Sequence, residues 1–259
     1  MLRNLTEMWK FRSLIAALVG RHLNARYRGS FFGFLWSFLN PLFLIATYSL
    51  VFRYYIRFNS VEHYTLFMFA GLLPWVWFSS GLIEATASIS SGGSLITKAI
   101  FPPHILVVVS VITSLANFIF ALPMVFLLMW YEGVAPGVAL FYLPLIIVTE
   151  FFFMLGFGLA LAALNVYYRD IQHILGSLMT LWFFLCPIIY PASVIPERFR
   201  FTMVLNPIAT FTELYQASLL DRAMPDLNLV GMIVSLSFLV FIVGNLIFNY
   251  YREDFAELV

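Results

Sequence analysis

A cluster of positive charges that passes directly into a long uncharged run is the feature that most restricts the fold of this chain. Arg26 and Arg28 precede Phe31–Phe52, which is 22 residues long and carries no charge. As a helix that rises about 1.5 Å per residue, this run would be about 33 Å long, enough to cross a bilayer core about 30 Å thick. Pro41 inside the run predicts a kink, because it removes one helical hydrogen bond.

Composition extends the membrane prediction to the whole chain. Hydrophobic residues make up 62% of the 259 residues and charged ones 10%, whereas soluble domains are roughly 25% charged. So little polar surface cannot cover a water-soluble globule, and we expect lipid to be the main solvent. The single cysteine, Cys186, excludes an intrachain disulfide and any multi-cysteine metal site.

Six apolar runs predict an all-α integral membrane protein with six transmembrane helices. The predicted spans are Phe31–Phe52, Leu66–Ile83, Ile105–Trp130, Val138–Asn165, Ile174–Tyr190 and Leu229–Tyr250. The third and fourth are separated only by YEGVAPG, which predicts a tight helical hairpin. We interpret residues 1–259 as one transmembrane domain, with an interface helix in 1–30, the six-span bundle in 31–250 and a tail in 251–259.

Loop charges predict the orientation of the spans. An even number of spans places both termini on one side of the membrane. That side carries nine positive residues and the opposite side five: Arg3, Lys10, Arg12, Arg21, Arg26, Arg28, Lys98, Arg169 and Arg252 against Arg53, Arg57, Arg198, Arg200 and Arg222. Because positive residues accumulate on the cytoplasmic side, we expect both termini in the cytoplasm.

Three segments outside the spans have apolar faces of their own. Apolar residues recur at helical spacing in Leu5–Tyr27, which predicts an amphipathic helix in the membrane interface; packing on a soluble partner is the alternative. The loop Glu84–His104 has a polar centre and one apolar side, which predicts a short cytoplasmic helix. Pro191–Asn228 is long for a connector and broken by prolines. It predicts short re-entrant helices on the outer side, where protein or water covers the backbone.

The sequence lacks the motifs of common enzymes. No G-x-x-x-x-G-K-[ST], H-E-x-x-H or G-x-S-x-G occurs, so we expect no ATPase or hydrolase activity in this chain. Glu150 lies within the fourth predicted span, and acids in such positions by default suggest a proton pathway. The alternative is a hydrogen bond to a neighbouring helix, because a single acid makes a poor relay.

Two predicted spans carry faces that mix aromatic rings with polar groups. These residues are Trp36, Asn40, Phe43, Thr47 and Tyr54 in the first span, and Gly176, Met179, Phe183, Cys186 and Tyr190 in the fifth. Sugars stack on rings and hydrogen-bond through their hydroxyls, so these faces suit a sugar passage. The alternative is that the rings face lipid or pack against other helices.

Five segments in this order resemble the membrane subunit of type-2 ABC exporters of bacterial polysaccharides, the group that handles O-antigen, capsule and teichoic acid. They are RYRGSFFGFLWSFLNP (Arg26–Pro41), SLITKAIFPP (Ser94–Pro103), YYRDIQHILG (Tyr167–Gly176), CPIIYP (Cys186–Pro191) and LNP (Leu205–Pro207). The resemblance implies a homodimer with two copies of a separate ATP-binding subunit, which would hold ATP and Mg, and no cofactor in this chain. It implies export of undecaprenyl-diphosphate-linked polysaccharide across the bacterial inner membrane. Membrane lipids are expected partners, and nucleic acid is not.

The resemblance also implies roles for individual residues. Between two permeases, a channel would be lined by Trp36, Asn40, Phe43, Thr47, Tyr54, Met179, Phe183, Cys186 and Tyr190. The lipid diphosphate would meet Arg26 and Arg28, unless these only anchor the span. The ATPase would contact Leu95, Ile96, Lys98 and Ile100, and an outer gate would contain Phe199, Phe211 and Tyr215.

The chain departs from the family's pattern in two places. Pro103 and His104 stand where many relatives have a charged pair, and relatives often have an arginine near Gln216. From the residues alone, two other functions stay open. One is a proton-coupled secondary transporter that uses Glu150, and the other is a membrane scaffold without transport of its own.

Overall fold

A computed structural model describes residues 2–27, 29–55, 61–92, 102–220 and 224–258. Within these ranges the chain is helical and contains no strand, which confirms the predicted all-α class. The helices are α1 (Leu2–Lys10), α2 (Arg12–Tyr27), α3 (Trp36–Ser49), α4 (Tyr64–Ser91), α5 (His104–Glu132), α6 (Leu143–Tyr167), α7 (Asp170–Phe184), α8 (Phe201–Val204), α9 (Pro207–Leu220), α10 (Leu227–Tyr251) and α11 (Phe255–Leu258).

Four helical segments among the described residues are long and apolar enough to cross a membrane. They are Tyr64–Ser91, His104–Glu132, Val138–Tyr167 and Leu227–Asp254. They match the predicted second, third, fourth and sixth spans. In the bundle, α4 packs against both α5 and α6, and α6 packs against α10. A total of six spans remains a prediction.

The predicted hairpin between the third and fourth spans is confirmed. Gly133 ends α5 in the left-handed conformation, with φ of 73°, which glycine adopts without steric cost. The backbone N–H of Val134 then donates to the carbonyl of Met129 at 2.9 Å. The chain reverses direction within a few residues and becomes helical again at Val138.

The helices α6 and α10 approach each other closely at two glycines. A Cβ atom on Gly244 would lie 1.8 Å from the carbonyl oxygen of Gly156. A Cβ atom on Gly156 would lie 2.4 Å from Cα of Phe241. In lipid, small residues let helix backbones approach and gain van der Waals contact. The contact between these two helices therefore requires glycine at both positions.

The second span continues further than its sequence predicts. The helix α4 runs through Glu84 to Ser91, so the prediction that a loop begins at Glu84 is wrong. The hydroxyl of Thr86 donates to the carbonyl of Leu82, and that of Ser88 to the carbonyl of Ala85, both at 2.7 Å. These bonds satisfy polar side chains inside the helix, so its polar composition does not end it.

The first and fifth predicted spans correspond to shorter α-helices. The helix α7 has 15 residues and ends at Phe184, a length of about 22 Å, so the predicted end at Tyr190 is wrong. The cause is Pro187, which cannot donate a helical hydrogen bond and restricts the residue before it. The helix α3 contains Pro41 and continues as a π-helical turn over Leu50–Tyr55.

The N-terminal amphipathic segment consists of α1 and α2, which meet at Phe11. Helical hydrogen bonds run through this junction, because the backbone N–H of Phe11 donates to the carbonyl of Glu7 and its carbonyl accepts from Ile15, both at 2.9 Å. Ile15 and Leu18 of its predicted apolar face are buried, and α2 packs against α5. The side chain of Asn4 donates to the side-chain oxygen of Asn245 at 3.0 Å and also to that of Asn249. These bonds place the first helix beside the end of the last span.

Candidate functional site

The CPIIYP segment leaves the helical conformation but stays inside the protein. Cys186, Ile188 and Ile189 are buried, so the carbonyl groups here need partners other than water. Three side chains supply them: Tyr64 donates to the carbonyl of Ile189 at 2.7 Å, Gln216 to that of Pro187 at 2.8 Å, and Asn206 to that of Leu185 at 3.1 Å. We call residues 185–191 the held turn.

Asn206, in the LNP motif, joins the held turn to two helices. Its Oδ1 accepts a hydrogen bond from the indole N–H of Trp182 on α7 at 2.8 Å. The same oxygen accepts from the backbone N–H groups of Ile208 and Ala209 in the first turn of α9. Asn206 is therefore the N-cap of α9. The CPIIYP and LNP motifs form one hydrogen-bonded unit.

A buried acid and a tyrosine connect α9 to the centre of the bundle. The hydroxyl of Tyr215 donates to the carboxylate of Glu150 at 2.7 Å. Tyr215 is 0% exposed and Glu150 1% exposed. The sequence left Glu150 either in a proton pathway or in a hydrogen bond to a neighbouring helix. The structure contains that hydrogen bond.

The residues predicted for an outer gate lie in different surroundings. Phe211 and Tyr215 are both buried in the bundle, whereas Phe199 is 45% exposed. The predicted re-entrant region does contain short helices, of which α9 packs against α4 and α6. Gate function and membrane re-entry stay predictions.

The predicted lining residues of α3 lie on an accessible face. Asn40, Phe43 and Thr47 are exposed in the single chain, at the spacing of one helix face. Trp36 is half-buried, and its indole N–H donates to the hydroxyl of Ser30 at 2.8 Å. The side chain of Tyr54 lies outside the described residues.

The predicted lining residues of α7 face inward. Met179, Phe183 and Cys186 are buried in the chain's own core, and the rings of Phe183 and Trp75 on α4 lie 5.8 Å apart. Tyr190 is half-buried, and its hydroxyl donates to the carbonyl of Phe184 at 2.7 Å.

The neighbouring face of α7 is accessible, and the sequence did not single it out. It carries Ser177, Thr180 and Phe184, all exposed, at positions i, i+3 and i+7. The signal in the sequence was a pair of hydroxyls on one face of α7, within the apolar stretch that follows His173. The helices α3 and α7 also lie near each other, because the rings of Tyr48 and Phe183 are 6.1 Å apart. Their exposed faces together mix aromatic, amide and hydroxyl groups.

Two predicted contact regions lie outside the described residues. The first comprises the side chain of Arg26 and the whole of Arg28. The second comprises Leu95, Ile96, Lys98 and Ile100. Their predicted contacts with a lipid diphosphate and with an ATPase stay predictions. Across the ranges that are described, no three or more His, Cys, Asp or Glu side chains group to hold a metal ion.

The long apolar helices define an integral membrane protein, and comparison with known proteins gives its family. The chain belongs to the ABC-2 type transporter family, whose model matches residues 13–220. This confirms the resemblance to the membrane subunit of type-2 ABC exporters.

Named relatives match the chain over most or all of its length. It is 38% identical over 261 aligned residues to the O-antigen export system permease protein RfbA of Myxococcus xanthus, with 100% of both chains covered. It is 28% identical to the protein of the same name from Klebsiella pneumoniae, over 95% of both chains. It is 21% identical to the polysialic acid transport protein KpsM of Escherichia coli, over 77% of this chain and 78% of that protein.

Proposed function

We propose that this chain is the permease subunit of an ATP-driven exporter of lipid-linked polysaccharide. Its cargo would be an O-antigen-like polymer on undecaprenyl diphosphate, moved from the cytoplasm across the bacterial inner membrane. The observation that carries the proposal is the full-length match, at 38% identity, to an O-antigen export permease. Capsular polysaccharide, teichoic acid and a small molecule are the alternative cargoes for the same transporter fold.

The assembly that we propose contains two copies of this chain and two copies of a separate ATP-binding subunit. The partner would bind ATP and Mg and would supply the hydrolysis, since this chain has no phosphate-binding loop motif. Both termini would lie in the cytoplasm, because the positive loop residues favour that orientation.

The exposed faces of α3 and α7 are the surfaces that we assign to the sugar chain. They offer rings for stacking and amide or hydroxyl groups for hydrogen bonds, as in Phe43, Asn40 and Thr180. Such contacts are weak individually and tolerate many sugars. Conduction needs binding that permits entry without trapping the cargo.

A gene deletion with complementation tests the proposal. Without this chain, we expect polymer to be absent from the cell surface and to accumulate on its lipid carrier inside the cell. Export should return with the intact chain, but not when the partner ATPase has lost its phosphate-binding lysine. Export that survives loss of the ATPase but stops when the proton gradient collapses would contradict the proposal. Mass spectrometry of the accumulated lipid-linked polymer identifies the cargo.

A further inference from the structure

A small polar cavity lies between α3, α4 and α5, near the middle of the two long helices. Its volume is about 140 Å³, and its polar lining consists of Trp36, Asn40, Trp77, Ser80, Ser114 and Asn117. None of these residues is needed to end a helix, and most of the surrounding positions on α4 and α5 are apolar. Polar groups at such depth are costly unless something hydrogen-bonds to them.

The lining presents both acceptors and a donor. The hydroxyls of Ser80 and Ser114 donate to the carbonyls of Val76 and Val111 in their own helices, at 2.6 and 2.8 Å. Each serine hydroxyl thus donates its proton to a carbonyl of its own helix, and its oxygen can still accept hydrogen bonds from the cavity.

The indole of Trp77 supplies the donor. Trp77 is 2% exposed, and its Nε1–H has no hydrogen-bond partner within the described ranges. The ring cannot easily turn away, because it stacks on Phe118 with centroids 4.7 Å apart. An indole N–H buried in this way costs about 1–3 kcal/mol if it stays unbonded.

A matching ligand must accept from the indole and donate to the serine oxygens. A hydroxyl group does both, whereas a lipid tail does neither. A water molecule needs about 10–15 Å³ of such volume, so a cavity of about 140 Å³ has room for several hydroxyl groups. Asn40, at the edge of the cavity, is exposed, which gives the ligand a route in from the accessible face of α3.

We propose that this cavity is a binding site for hydroxyl groups inside the membrane. Water supplies them when no polymer is present, and a sugar unit of the cargo supplies them during export. The sugar part rests on the function proposed above, whereas the water part does not. The site is a side pocket within one subunit, beside the exposed face of α3.

Cysteine labelling tests the proposal with nearly isosteric changes. Ser80→Cys and Ser114→Cys place a thiol in the cavity, and the natural Cys186 is fully buried, so the unsubstituted protein measures the background. In membranes from cells that make no polymer, both thiols should react with a charged, water-soluble methanethiosulfonate. Each reaction forms a mixed disulfide and releases a sulfinate.

Two variants on α5 serve as matched controls. Ile119→Cys lies at a position that is 44% exposed and does not line the cavity, and should react only with a lipid-soluble maleimide. Ser110→Cys is buried away from the cavity and should react with neither reagent. Reaction of Ser80→Cys and Ser114→Cys with the lipid-soluble reagent alone, or with neither, would overturn the proposal.

A second arm separates the two sources of hydroxyl groups. In membranes where the cargo is made but the partner ATPase is inactive, a stalled sugar chain should slow labelling of both cavity thiols at least fivefold. An unchanged labelling rate would mean that water alone occupies the cavity, and would overturn the proposal that the cavity binds a sugar unit. If the cysteine variants fail to insert, exchange of the Trp77 indole proton with deuterated water provides the test, with Trp77→Phe assigning the NMR signal. Slow exchange would overturn the proposal.

Discussion

The hydroxyl of Tyr215 and the carboxylate of Glu150 lie 2.7 Å apart in the interior of the bundle. Each group alone would be costly there, because it has given up water and needs a partner. Together they connect α9 to α6 across 65 positions of sequence. The pair gives Glu150 a structural role that does not require proton transfer.

Substitution of either partner separates the structural role from a proton pathway. Tyr215→Phe removes the donor and should lower the free energy of unfolding by about 1–3 kcal/mol. Glu150→Gln keeps an oxygen that can accept from Tyr215 but loses the titratable group, so we expect a smaller loss and export close to normal. Thermal unfolding in detergent and surface polymer are the measurements. Tyr131→Phe, at a ring that is 82% exposed, is the control. A normally stable Glu150→Gln protein that cannot export would instead support proton coupling.

The side-chain oxygen of Asn206 caps α9, whereas its nitrogen donates to the held turn. Substitutions can separate these two roles. Asn206→Ala removes the cap of α9, at a cost of about 1 kcal/mol, and also the partners of Trp182 and Leu185. Asn206→Asp keeps an acceptor for the cap but loses the donor to the held turn. We expect both variants to unfold at lower temperature, alanine the more so, and to export less polymer. Equal behaviour of Asn206→Ala and the exposed control Asn228→Ala would contradict this assignment.

At the scale of elements, the contact between α6 and α10 depends on the absence of two side chains. Gly244→Ala would place a methyl group 1.8 Å from the carbonyl oxygen of Gly156, so the helices must separate. We expect a loss of about 1–3 kcal/mol, as for other overpacked sites. Gly231→Ala on the same helix has nothing within 4 Å and should be neutral or slightly stabilising. Unfolding temperatures of the two variants provide the comparison, and equal values would rule out the close contact.

The two faces of α7 should respond differently to a large side chain. Thr180→Trp adds bulk on the exposed face, which we assign to the sugar path, and should reduce export at least several-fold while the unfolding temperature stays near normal. Met179→Trp adds bulk on the buried face and should lower the unfolding temperature, because packed cores tolerate overpacking poorly. If Thr180→Trp exports normally, the exposed face does not line the path.

Sequence patterns predicted the long helices well and the interrupted ones less well. A long apolar run fixes a span such as α5, because no other structure satisfies its backbone in lipid. The ends of α4 and α7 depend on side-chain hydrogen bonds and on proline, not on the apolar pattern. The hydroxyls of Thr86 and Ser88 bond within α4, so they do not end that helix at Glu84, and Pro187 ends α7 before its apolar run ends.

The candidate site was predicted by position but not by pairing. The CPIIYP and LNP segments are recognisable motifs in the sequence. Their residue types do not indicate that the side chain of Asn206 donates to the carbonyl of Leu185. The same holds for Tyr215 and Glu150, which meet only in the folded chain. Periodicity finds a face of α7 but does not tell whether it points to the core or away. The single chain buries Met179 and Phe183 of the predicted face, and the lining role of that face stays a prediction.

At the scale of the whole molecule, the chain's first helix is fixed to its last span. Asn4 hydrogen-bonds to Asn245 and Asn249, and Phe255 after that span is fully buried. Asn4 and Phe255 thus both belong to the packed structure at one end of the bundle. On the proposed topology this end faces the cytoplasm, where an ATP-binding partner would sit.

Residues 93–101, which lie outside the described ranges, form the segment that we expect to contact the ATP-binding partner. Leu95→Asp combined with Ile96→Asp would put charges into an apolar interface, which costs several kcal/mol when they stay unpaired. The ATPase should then fail to copurify, while this chain still inserts into the membrane. Ser91→Asp, at an exposed position where α4 ends, is the matched control. An unchanged yield of complex would place the ATPase contact elsewhere.

The held turn also bears on how this protein can change during evolution. Tyr64, Asn206 and Gln216 bond to carbonyl oxygens, which every amino acid possesses, so selection on these bonds acts only on the donors. Substitution of Ile189 or Leu185 by another apolar residue keeps these bonds, because the backbone carbonyl stays. A donor side chain can be replaced only by another donor. An alignment of relatives should therefore show a hydrogen-bond donor at positions 64 and 216 more consistently than one residue type. Position 206 should vary less, because Oδ1 of Asn206 also accepts from Trp182 and caps α9.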